Sequence, residues 1–110
     1  MKLSFIVALL LAASVSAFGQ AMPRMTSVDP QNGKTGDEIV VTGENLQKDV
    51  VAKLYLTDGK TDIEVTISAQ AEKEIKFKIP AKATGRLSLM VLTHGKDAKL
   101  IEQPVKLQID

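Results

Sequence analysis

The run from Gly36 to Leu46 (Gly-Asp-Glu-Ile-Val-Val-Thr-Gly-Glu-Asn-Leu) limits the fold more than any other stretch. Three β-branched aliphatic residues and a threonine stand in a row, with a glycine before and after them. β-Branched side chains lose freedom in a helix, and glycine costs still more there. On an extended backbone Ile39 and Val41 fall on one face, and Val40 and Thr42 on the other. The run reads as a short strand with one face meant for a core.

The rest of the chain repeats this design. Thr26-Ser27-Val28 forms a first strand that stops at Asp29-Pro30, and Pro30-Gln31-Asn32-Gly33 has turn chemistry, with Asn-Gly accepting positive φ. Leu46, alone in a polar connection, is expected to tuck under the sheets as a plug. From Val50 to Thr57 the alternation places Ala52, Leu54 and Leu56 inward, and Val51, Lys53, Tyr55 and Thr57 outward. Asp58-Gly59 marks a hairpin, and Ile63, Val65 and Ile67 give the returning strand. Ser68 to Lys73 reads as a loop or a single helical turn. In Glu74–Pro80, Ile75, Phe77 and Ile79 alternate without a fault against Glu74, Lys76 and Lys78. Leu87, Leu89 and Val91 face inward on the next strand, with Ser88, Met90 and Leu92 outward. His94 to Asp97 makes a tight turn. A last strand runs from Lys99 to Ile109, with Pro104 splitting it at an edge or bulge. About seven short strands, no helical period and regular turns predict an all-β antiparallel sandwich.

The first residues differ in kind. Lys2 is their only charge; an apolar run from Leu3 to Val15 follows, then small residues at Ala17, Gly19 and Ala21. This is the layout of a secretory signal peptide over residues 1–19, with cleavage after Gly19 or Ala21. The run is shorter than the ~20 residues of a membrane-spanning helix. The mature domain, 22–110, is expected to be exported alone, to the periplasm or beyond. Without Lys2, basic and acidic side chains balance at 13 each. Nothing therefore steers the domain toward nucleic acid or an anionic membrane. There is no cysteine, so the core alone must hold the fold.

These residues resemble the IPT/TIG domain family. Val28-Asp29-Pro30 with Gly33 is similar to the family's opening turn. In the strand that follows, Ile39 and Val41 take its two apolar places, Gly43 its glycine and Asn45 its asparagine; Leu46 stands where phenylalanine is usual. Ile75 to Pro80 and Gly85 to Leu89 resemble two later strands. The resemblance implies an immunoglobulin-like fold of the early-set type, which serves as a spacer or interaction module.

A search for chemistry finds isolated groups. His94, in a turn, has no strained nucleophile beside it, so an exposed turn histidine is favoured over a catalytic base. Met22 and Met25 could offer thioethers to Cu(I), but two apolar residues leading into a strand are more often core edge or tail. Asp58 and Asp62 lack the further acids of a Ca²⁺ loop, which leaves a plain turn. Tyr55 is a lone aromatic, a thin platform for sugar. Lys73, Lys76 and Lys78 are expected to guard a sheet edge. The outer positions Val51, Tyr55, Met90 and Leu92 would gather into one apolar patch that meets a protein partner or a second copy. The chain is therefore expected to be an exported, non-enzymatic module for protein contact or structure, with no catalytic residue, metal site or cofactor. A domain binding carbohydrate or a copper ion is the second reading.

Overall fold

The computed structural model describes residues 22–110, so the expected signal segment lies outside the described residues. Nine strands follow one another: β1 (Arg24–Asp29), β2 (Asn32–Gly33), β3 (Glu38–Glu44), β4 (Val51–Thr57), β5 (Asp62–Val65), β6 (Ile67–Ala71), β7 (Glu74–Lys78), β8 (Gly85–Thr93) and β9 (Leu100–Ile109). They build two sheets, β1-β3-β7-β6 and β2-β9-β8-β4-β5. All pairs are antiparallel except β2 with β9. The expected all-β immunoglobulin-like sandwich is the observed fold.

Alternation explains the core. Ile39 and Val41 from β3, and Ile75 and Phe77 from β7, are fully buried, and Leu54, Leu56, Leu89 and Leu107 meet them from the other sheet. Leu46 is also fully buried, as a plug between β3 and β4. Its backbone N donates to Glu72 O, and its carbonyl accepts from Gln70 Nε2 at 2.8 Å.

Four expectations need correction. Asn32-Gly33 is not a positive-φ turn; it is β2, and the positive φ falls later, at Gly36. Gln108 N donates to Gln31 O, so the segment turns toward the end of β9. Ser68 to Lys73 was expected to be a loop or helical turn, and Ile67 to lie on the returning strand with Ile63 and Val65; residues 67–71 instead form β6, in the other sheet. Its small polar side chains hide its strand character, which comes from pairing with β7.

β7 lies between β3 and β6, so Lys76 and Lys78 guard no edge; Lys76 instead reaches Glu74 at 3.9 Å on the outer face. The fourth correction concerns register. β4 bulges between Val51 and Lys53, which exposes Ala52 and turns Val51 into the core at 1% exposure. A bulge adds one residue and so reverses the facing of everything before it.

Candidate contact surface

The outer face of the five-stranded sheet is built by cross-strand register. Tyr55 on β4 stands opposite Met90 on β8, and Met90 opposite Glu102 on β9. The next row runs Lys53, Leu92, Leu100 across the same strands. Directly opposed residues share a face and lie within side-chain contact. Of the four expected patch residues, Tyr55, Met90 and Leu92 are therefore brought together. Val51 is withdrawn by the bulge.

Exposure grades the strip. Tyr55 and Leu92 are half-buried, Met90 is 9% exposed, and Leu100 is 54% exposed. Leu100 was missed, although the alternation that sends Ile101, Gln103 and Val105 inward also sends it outward. Charges border the strip. Lys53 Nζ lies 3.8 Å from Glu64 Oε1, and Glu64 stands opposite Tyr55. On the far side Thr57, Ser88 and Lys106 form a polar row. Thr57 is buried in spite of its outward register, donating from Oγ1 to Asp62 Oδ1 at 2.6 Å.

The other candidates have structural employment. His94 is exposed in the β8–β9 turn, and its backbone N donates to Val50 O. Met25 is fully buried while Met22 is 62% exposed, so the two thioethers occupy different environments. Asp58 Oδ1 accepts from the backbone N of Thr61 at 2.7 Å and of Lys60 at 2.8 Å. These bonds, that to Thr61 first, hold its carboxyl below the usual carboxylate range. Among the described residues no three His, Asp or Glu side chains gather to hold a metal ion, and no helix is long and apolar enough to cross a membrane. This outer face can offer an apolar strip with charged margins.

Comparison with known proteins places the fold. The sequence profile of the IPT/TIG domain matches residues 23–109. No curated protein matches the chain. A Bacteroides thetaiotaomicron protein of unknown function superposes with a TM-score of 0.68 at 19% identity, over 84% of this chain and 22% of its own. The gamma-CGTase of alkalophilic Bacillus clarkii gives 0.64 at 18% identity, over 81% of this chain and 12% of its own. SGBP-B of the Bacteroides ovatus mixed-linkage glucan utilization locus, solved with a mixed-linkage heptasaccharide, gives 0.50 at 18% identity, over 73% and 21%. The chain thus spans no more than 22% of any of these three proteins. At such identities the likeness is one of fold.

Proposed function

The chain belongs to the IPT/TIG domain family, and from that premise we propose that it acts as a non-enzymatic immunoglobulin-like contact module, exported behind its N-terminal segment. The partner is a protein. The observation that carries the reading is the strip of Tyr55, Met90, Leu92 and Leu100, continuous across three strands and bordered by Lys53, Glu64 and Glu102. An apolar centre within a charged margin is the usual anatomy of a protein contact. Solved structures of like fold, in which the matching part is a minor fraction of a longer chain, support the module reading. Export is supported by the charged start, apolar run and small residues of 1–21.

The test pairs Tyr55→Ala with Leu100→Ser in the full chain. Both positions are open enough for the sandwich to survive, so the circular dichroism spectrum stays that of an all-β fold. Partner capture or self-association, followed by pull-down and sedimentation, weakens about tenfold or more, as truncation of one central aromatic anchor does. Unchanged complexes would remove the strip from the reading. Binding of a glycan panel that the double variant abolishes would favour the carbohydrate alternative instead.

A further inference from the structure

A second surface lies on one flank of the sandwich, meeting the outer strip at the Lys53–Glu64 margin. The chain leaves the five-stranded sheet at Val65, crosses through Thr66 and enters the other sheet at Ile67. β5 pairs with β4 only over Leu54–Thr57, so residues 51–53 have no strand beside them on that flank. β6 pairs with β7 alone; among the described residues no backbone group of β6 bonds across to β4 or β5, and the crossing bond is a side-chain one, from Gln70 Nε2 to Val51 O at 2.9 Å. Both edges are bulged, β4 between Val51 and Lys53 and β6 between Ile67 and Ala69. Bulges gather where pairing is ended or a side chain re-aimed for function. Here both line one open groove of about 660 Å³.

The chemistry of the groove is specific. Val51 and Val65, both core residues, reach it from below, and Ile67 and Ala69 border it along β6. Lys48 and Lys53 also line it. Lys53 is engaged by Glu64, whereas Lys48 has no ion-pair partner among the described residues. The edge itself is unguarded by the usual means. β1 carries Arg24 and Asp29 between two prolines, β5 carries Asp62 and Glu64, and β9 carries Pro104; β6 reads Ile-Ser-Ala-Gln-Ala, with neither charge nor proline. Such an edge is a template for an added strand, and the bulge at Ser68 is the one device that limits its length.

We propose that the groove takes an extended peptide segment of a protein partner, which adds to the free edge of β6 as a further strand. The peptide lays an aliphatic side chain against Ile67 and Ala69, above the buried Val51 and Val65, and presents a carboxylate to Lys48. Backbone bonds to β6 supply the attachment, and the floor and Lys48 supply the selection. A second copy of this chain fits less well. Its own β6 arrives already bonded to β7, too broad for a gap between layers about 10 Å apart.

The test uses the full chain, labelled with ¹⁵N, and two capped eight-residue peptides that alternate valine with threonine. One carries a central aspartate and the other asparagine in its place. The amide signals of residues 67–71 move on titration, and the aspartate peptide binds about threefold to fivefold more tightly, the worth of one exposed ion pair. Lys48→Glu reverses that preference. Ala69→Glu, at an exposed position, weakens the aspartate peptide most while leaving the remaining amide spectrum in place. Equal binding of both peptides before and after Lys48→Glu would overturn the proposal. So would signal changes confined to Tyr55, Leu92 and Leu100, the absence of binding at millimolar peptide, or a β6-mediated dimer that excludes the peptide.

Discussion

At the scale of single residues, the glycines and polar side chains of the motif answer separate geometric demands. Gly43 stands opposite Met25, where β1 shifts register, and an added Cβ would lie 2.8 Å from Met25 Cα and closer still to the carbonyl oxygen of Arg24. Close backbone approach, rather than a left-handed φ, requires this glycine. Gly43→Ala must part β1 from β3, and a loss of about 2–3 kcal/mol is expected from the urea midpoint. Asn45 has the opposite reason for its place. It adopts φ of 58°, which asparagine tolerates, and donates from Nδ2 to Met22 O at 3.1 Å. Asp58 shows how a turn becomes sensitive to acid. Its folded carboxyl is held below the unfolded value by the backbone N–H groups of Thr61 and Lys60, so its stabilising contribution is present above the unfolded pKa. That contribution is lost as pH falls through the folded pKa. Asp58→Asn should lower Tm at neutral pH, and the gap to the parent protein should close as pH falls through the folded pKa, where the native carboxylate protonates too. A gap independent of pH would show that the charge is not what the turn uses.

At the scale of elements, legibility follows side-chain character. β3 and β7 could be read directly because Ile39, Val41, Ile75 and Phe77 keep strict period against polar neighbours, and the structure buries all four. Leu46 could be placed as a plug because it was the lone apolar residue in a polar connection. β2 and β6 were hidden for a different reason. Their side chains, Asn-Gly and Ile-Ser-Ala-Gln-Ala, hold no apolar alternation, and what makes them strands is the neighbour each one finds. Gln70 is instructive. From β6 it donates to the carbonyls of Leu46 and Val51 at 2.8 and 2.9 Å, tying a plain-looking segment to the β3–β4 connection. No periodicity signals a bond of that reach. Bulges were the other blind spot, since a residue count cannot reveal where one strand gains a residue over its partner. Val51 therefore entered the expected patch wrongly, while Tyr55, Met90 and Leu92, beyond the bulge, kept their register. The groove beside β6 was illegible for both reasons together.

At the scale of the whole molecule, two layers without a disulfide must be held against sliding, and polar ties assist the core. Gln103 is the main one. Buried at 5% exposure on β9, it accepts at Oε1 from Met25 N on β1 at 2.7 Å, joining the two sheets across 78 residues of chain. Gln103→Leu leaves the Met25 N–H buried without that acceptor. About 1–3 kcal/mol of stability should disappear, seen as a lower denaturant midpoint with an unaltered slope. The parallel pairing of β2 with β9 has a further consequence. Met22, bonded to Asn45, lies beside the β3–β4 connection, whereas Asp110 N donates to Gly33 O at the opposite pole, beside Gly85. A pull on the two ends therefore runs along the strands, and hydrogen bonds perpendicular to them are loaded together in shear. Such a domain resists stretching as a rivet row does, not as a zipper, and could transmit tension lengthwise without opening its core.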